Sequence, residues 1–226
     1  MSVIRSLAWL GLAVEQLRTS RAFYEPLLGE PDREHGELRF SVAESELRLK
    51  PPGADPAGGE HVHFAFSTGP PGYERFKQRL EARGPIEEHD LSVYHSVYAF
   101  DPDDHCVEFA DREEHGTDIA SLFEIVLEVE DLDGALDWYR QFDPRVMDRG
   151  EQRRRVRLDM GPFELELWEP QRGLAGARPG RSVDLGLAVG DPQAIVDDIA
   201  ENDLTETEAG LRITDPDGHL LTFVRV

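Results

Sequence analysis

The chain carries the same pattern twice. Residues 12–24 lie without a gap over residues 127–139, sharing Leu12/Leu127, Val14/Val129, Glu15/Glu130, Leu17/Leu132 and Tyr24/Tyr139, an offset of 115. Residues 101–109 lie over 215–223 through Asp101/Asp215, Pro102/Pro216, Asp103/Asp217, His105/His219 and Phe109/Phe223, an offset of 114. Two separate matches at nearly one spacing mark a duplication. The chain therefore divides into halves, 1–115 and 119–226, joined near residues 111–121 by a polar, unpatterned stretch that suits a linker.

Within each half the pattern runs strand, helix, several strands, and then the same again. Leu10, Leu12 and Val14 alternate with Trp9, Gly11 and Ala13, the period-two signature of a strand with two different faces. A helix is predicted over 19–28 from the stripe Phe23, Tyr24, Leu27 and Leu28, with Pro26 as a kink and Gly29 as its stop. Residues 39–43 and 46–50 read as short strands. Val62, Phe64 and Phe66 start a second unit, whose helix carries Tyr73, Phe76 and Leu80 and stops at Gly84. The second half repeats the order with strands at 125–129, 155–159, 164–168 and 185–189. Its first helix ends near Phe142, its second is opened by Asp191 and Pro192, and residues 172–181 form a longer loop. The reading is an α+β chain of four strand–helix–strands units.

The net charge is −22, with 12 basic and 22 acidic residues up to position 115 and 12 and 24 beyond it, so the halves carry −10 and −12. Such an even excess resembles the whole-surface acidity of proteins from salt-saturated cytoplasm, and a halophilic, cytoplasmic protein is the expectation. Only Lys50 and Lys77 are lysines. A nucleic-acid partner is disfavoured, since phosphates would meet a field of their own sign. No apolar run approaches the roughly 18 residues of a membrane span, and no secretory leader is expected at the start. Cys106 is the sole cysteine, so no intrachain disulfide can form.

The four units, the segment Phe23, Tyr24, Leu27, Leu28, Gly29 and the two Asp-Pro-Asp-x-His turns together resemble the vicinal oxygen chelate superfamily, which includes glyoxalase I, extradiol dioxygenases and bleomycin-resistance proteins. The resemblance implies two tandem domains of mixed sheets, each half forming a cup from its own two βαβββ units, four such units in all. It also implies a divalent metal (Fe, Mn, Zn or Ni) held by residues on the first and later strands of the units of a cup. Members differ in chemistry, and some bind ligands without metal, so function must be read from the residues.

Carried over position by position, the first ligand place of the first unit holds Trp9 and its strand partner place holds Arg48. In the second unit His61 stands at the matching place and Glu108 at the carboxylate place. Side chains two apart on a strand share a face, so His63 points with His61, and His61, His63 and Glu108 could form a two-His-one-carboxylate metal set. Alternatively His63 is a hydrogen-bonding residue of the cup wall. Trp9 is then a wall of the substrate pocket or filler of a lost site, Arg48 supplies charge to an anionic substrate, and Cys106 either contacts the ligand or is a buried thiol. The second half places Glu124, Glu166, Asp184 and Thr222 at the four positions. Its carboxylates could hold a hard cation, or they are solvated acids in an eroded, structural cup. His105 and His219 read as exposed turn residues, His95 lies on a strand of unassigned face, and residues 153–155 form a small basic patch.

The expected function is a metal-dependent enzyme of glyoxalase or dioxygenase type acting on a small oxygenated molecule. The alternative is a metal-free module that sequesters a small ligand. Pairing of two chains into a homodimer is compatible with either. The charge supports one expectation that needs no site. Self-repulsion of −22 charges is screened by salt, so the melting temperature should rise by several degrees from dilute buffer to molar KCl, followed by circular dichroism; an unchanged value would contradict a salt-adapted surface.

Overall fold

The computed structural model describes residues 3–51, 62–150, 154–169, 183–199 and 203–226. The first unit runs β1 (Ile4–Ala13), α1 (Leu17–Leu28), β2 (Asp32–Glu34), β3 (Glu37–Val42) and β4 (Ser45–Lys50). The second runs β5 (His63–Thr68), α2 (Pro70–Glu81), β6 (Glu87–Asp90), β7 (His95–Phe100) and β8 (Cys106–Ala110). The third runs β9 (Ile119–Glu128), α3 (Leu132–Tyr139), β10 (Arg145–Arg149), β11 (Arg155–Asp159) and β12 (Glu164–Trp168). The fourth runs β13 (Val183–Val189), α4 (Pro192–Asp198), β14 (Thr205–Glu206), β15 (Leu211–Thr214) and β16 (Leu220–Arg225). This is the α+β, four-unit architecture expected, and among the described residues no helix is long and apolar enough to cross a membrane.

The sheets do not follow the halves. One eight-stranded sheet has the order β14-β15-β16-β13-β1-β4-β3-β2 and the other β10-β11-β12-β9-β5-β8-β7-β6. The first unit thus shares a sheet with the fourth, and the second with the third, each through an antiparallel ladder between first strands: β1 with β13, and β5 with β9. The expectation that each half closes its own cup is corrected by this pairing. Its physical cause is the exposed edge of each first strand, which is hydrogen-bonded only on the side of its own unit's last strand. Because β9 begins at Ile119, only residues 111–118 separate β8 from β9, and that short link lays the third unit's first strand directly against the second's.

Helix α1 forms where the stripe predicts, burying Ser20, Phe23, Tyr24 and Leu27, runs through Pro26, and stops at Gly29 with φ 96°, a conformation that costs glycine nothing. Asp131 caps α3 by accepting from the backbone N–H of Asp133 and Gly134, whereas Asp191, at the same place before α4, instead accepts from Arg225 (2.9 Å). Phe76 on α2 stacks on Phe109 of β8, ring centroids 4.3 Å apart, in a core that continues through both sheets.

What links the units of one half is the repeated turn. Tyr24 donates to Asp101 Oδ2 (2.7 Å) and Tyr139 to Asp215 Oδ2 (2.9 Å). The Oδ1 of each aspartate accepts from the backbone of its own turn, at Asp103 and His105 and at Asp217 and His219. The next aspartate reaches back to the first unit, Asp103 to the N–H of Glu15 and Asp217 to that of Glu130, both 2.6 Å. The duplicated Tyr and Asp-Pro-Asp residues are therefore one device. His105 and His219 are buried, at 3% and 4% exposure, and not the exposed turn residues expected, because the turn folds under the preceding unit.

The two copies differ at the first aspartate: His219 Nδ1 also pairs with Asp215 Oδ2 (2.9 Å), while Tyr24 is the side-chain donor to Asp101 Oδ2. Removing a buried donor exposes its partner's desolvation cost, about 1–3 kcal/mol. Tyr24→Phe should therefore lose more stability in urea unfolding than Tyr139→Phe; equal losses would show that the histidine does not share the load.

Candidate functional site

Parallel ladders inside each unit set one geometric rule. His63 pairs with Cys106 and Ala65 with Glu108, so a first-strand residue lies on the same face as the last-strand residue one pleat further on. The same offset joins Glu124 with Glu166, Trp9 with Arg48, and Asp184 with Thr222. His63, and not His61, occupies the place equivalent to Trp9, Glu124 and Asp184; His61 lies outside the described residues. Sheet pairing then sorts the four pairs. His63, Glu108, Glu124 and Glu166 share the second sheet, while Trp9, Arg48, Asp184 and Thr222 share the first. Glu124 and Glu166, expected in a cup with Asp184, stand instead with the histidine. Arg48 and Trp9, expected beside Glu108, are in the other sheet.

In the second sheet His63, Glu108 and Glu124 are all buried, and one ligand atom of each lies within 4.8 Å of the others. His63 Nε2 and Glu108 Oε2 are 2.8 Å apart, and Ser96 of β7 donates to Glu108 Oε1. A bulge in β9 brings Glu124 to the group. The register against β5 jumps from Ala65↔Glu124 to Phe66↔Leu122, leaving Phe123 as the extra residue. Phe123 packs with Ala65, Ala110 and Tyr94 while Glu124 reaches His63, so two consecutive side chains face the cup. Neither the bulge nor the pairing of second with third unit leaves a mark in hydrophobic periodicity.

Around this trio lies a second ring. Arg157 reaches Glu124 (3.1 Å) and Glu166 (2.7 Å), Arg155 also holds Glu166 (2.6 Å), and Trp168 donates its indole N–H to the same carboxylate. Tyr98 stands edge-on to His63, ring centroids 5.5 Å apart. Sequence reasoning missed Ser96, Tyr98, Arg157 and Trp168; the period-two alternation of residues 155–159 and 164–168 was the signal that could have found the last two. A cleft of about 390 Å³ on the same sheet is lined by Ser67, Arg112, Ser121, Phe123, Met147 and Glu164, among others, but not by His63, Glu108 or Glu124.

Electrostatics follow from this crowding. Burial pushes the Glu124 carboxyl up to about 7; Glu108 and Glu166 add to the shift, while Arg157 and His63 oppose it. Burial alone would lower the His63 imidazole, but its bond to Glu108 and the charges of Glu108, Glu124 and Glu166 outweigh burial and raise it. Burial and the same glutamates hold the Tyr98 phenol well above its ordinary value, so it stays protonated and can donate. Cys106 is buried next to His63 on the ladder, and burial pushes its thiol up to about 12, which removes it as a nucleophile. His95, whose face was open, is exposed and pairs with Asp111 (3.0 Å).

No family model matches the sequence, and no curated protein matches it. Solved structures do. A Bacillus subtilis protein described as a candidate dioxygenase superposes with a TM-score of 0.73 at 14% identity, covering 100% of this chain and 86% of that one. Glyoxalase I from Zea mays gives 0.64 at 16% identity over 97% and 92%, and a variant of it gives 0.68 at 13% over 97% and 93%. At these identities the likeness is one of fold.

Glu124 supplies a pH test. Its folded value lies above the unfolded one of about 4.3, so the folded state binds the proton more tightly, and the associated stability is present at low pH and lost as pH rises from about 4.3 to about 7. In metal-free protein, Glu124→Gln should gain stability relative to the parent across that window, rising to on the order of 3–4 kcal/mol at its upper end. A parallel pair of stability curves would show that Glu124 titrates normally.

Proposed function

We propose that this chain, whose fold is that of the vicinal oxygen chelate superfamily, holds a divalent metal on His63, Glu108 and Glu124 and acts on a small oxygenated molecule in the cup of the second and third units. The observation that carries the reading is the donor set. One imidazole and two carboxylates, all buried and within 4.8 Å of one another, meet the needs of Fe, Mn, Zn or Ni. A cation would also offset the cost of confining Glu108, Glu124 and Glu166 in one hollow, a cost expressed in the raised Glu124 carboxyl.

When bound, the metal supplies a Lewis acid for two neighbouring oxygens of the substrate. The remaining work belongs to the chain. Ser96 and His63 fix the two oxygens of Glu108. Arg157 spans Glu124 and Glu166 and sets the orientation of the former. Glu124, the carboxylate of the trio with the fewest fixed partners, is suited to take a proton from substrate carbon or oxygen and return it, and the Tyr98 phenol, held protonated beside His63, can donate to a developing oxyanion.

A second reading has its own observation. Arg155, Arg157 and Trp168 already satisfy Glu166, and His63 already pairs with Glu108, so the cup is partly neutralised without a cation. On that reading the cup sequesters a small ligand without metal. One experiment separates the two: metal content of the chain purified without chelator, and thermal shift on adding Mn²⁺, Fe²⁺, Zn²⁺ or Ni²⁺. The metal reading expects a stoichiometric ion and about 2.7 kcal/mol of stabilisation at a hundredfold excess over Kd, both lost in His63→Ala and Glu108→Gln. A parent chain that carries no ion and ignores all four metals would sink it and favour sequestration.

A further inference from the structure

The cup of the first and fourth units repeats the four ligand places with different chemistry. Where the other cup has His63, Glu108, Glu124 and Glu166, this one has Trp9, Arg48, Asp184 and Thr222. Only Asp184 is a metal-binding type, and its oxygens are engaged: Oδ1 accepts from Thr222 (2.8 Å), and Oδ2 from Arg212 (2.8 Å) and Lys50 (3.4 Å). That donor set does not suit a cation.

It suits an anion. Trp9 is 4% exposed, and its indole Nε1–H is buried without a hydrogen-bond partner. The ring is clamped in place. Gly186 lies opposite it on β13, where an added Cβ would stand 2.1 Å from the ring, and the Arg48 guanidinium sits 3.7 Å from the ring centroid. Arg48 directs Nε and Nη2 to Glu46 Oε2 (2.7 Å), leaving Nη1 uncommitted beside the indole. Buried donors are almost always satisfied in folded proteins, so a rigidly held, empty-handed indole next to a guanidinium is a binding feature.

The charge agrees. Arg48, Lys50 and Arg212 face Glu46 and Asp184, a surplus of one positive charge in a chain of net −22, and it includes one of only two lysines. The three cationic side chains keep 18–29% of their surface exposed, so a ligand can reach them.

We propose that this cup is a second, metal-free site that takes the oxyanion of a small organic acid, carboxylate or phosphate, on Trp9 Nε1 and the Arg48 guanidinium. An oxyanion satisfies the orphan donor and the surplus charge together, with charge-assisted bonds of the stronger kind. The site is independent of the metal reading for the other cup.

The test uses the full chain labelled with ¹⁵N, at fixed ionic strength. Three tryptophans give three indole N–H resonances, and Trp9→Phe assigns the first while keeping a ring in the clamp. Titration with acetate, and separately with inorganic phosphate, should move the Trp9 resonance downfield to saturation while those of Trp138 and Trp168 stay. Arg48→Gln should weaken that binding at least about tenfold, and Glu108→Gln, in the other cup, should leave it unchanged. The tighter of the two anions names the group recognised. A Trp9 resonance that does not saturate with either anion overturns the proposal, as does an Arg48→Gln chain that binds as the parent does; neither result bears on metal at His63.

Discussion

The antiparallel ladder between β5 and β9 sets Ala65 opposite Glu124, and through it the carboxylates of the third unit come to stand over His63 and Glu108. Each unit alone is a curled half-sheet with its first strand unpaired on one side, a row of backbone donors and acceptors that cannot stay buried unsatisfied. Joining two first strands satisfies both rows at once and closes a cup between them. The β1–β13 ladder does the same for the outer pair of units. The approach of Glu124 to His63 and Glu108, and that of Lys50 to Asp184, follow from which first strands meet.

Much of this was legible in residue spacing. The duplicated Tyr24/Tyr139 and Asp101/Asp215 positions marked the halves, and they turn out to touch each other across each half. The central strands and helices betrayed themselves by period. The outer strands did not: Asp32–Glu34, Glu87–Asp90, Arg145–Arg149 and Thr205–Glu206 are exposed along their whole length and carry no apolar alternation. They form only because a neighbour offers an open edge. The matched positions were found for Trp9, Arg48, Glu108, Glu124, Glu166 and Asp184. In the second unit the ladder sets His63 at the matching place, while His61 lies outside the described residues; a shift of two keeps the same face, so periodicity does not choose between them. Partnership of cups was beyond reach, because it depends on pairing between units distant along the chain.

The second cup concentrates acids to a degree that shapes its neighbours. Glu108, Glu124 and Glu166 are each nearly inaccessible to water, and three ionised carboxylates so placed would repel one another strongly in a medium less polar than water. The chain answers with two arginines on β11, with the His63 imidazole, and with hydroxyl and indole donors to Glu108 and Glu166. Glu124 has only Arg157 among cations in contact, and it is the carboxyl that burial raises furthest toward neutrality. Unequal support thus leaves Glu124 as the carboxyl that burial shifts toward its neutral form.

Duplication with crossed pairing explains how one chain can hold two unlike cups. The first and third units correspond, as do the second and fourth, and each sheet joins one of either kind. Copying a half therefore yields two cups of the same make-up, each with one pair from either kind of unit. Trp9/Arg48 and Glu124/Glu166 occupy equivalent places, as do His63/Glu108 and Asp184/Thr222. The two cups differ at these four positions, one carrying an imidazole and three carboxylates and the other an indole, a guanidinium, a carboxylate and a hydroxyl, while the ladders, the turns and the core stay common to both. Gly186 belongs to that divergence: without a side chain on β13 it leaves room for the indole of Trp9, which an added Cβ would meet at 2.1 Å.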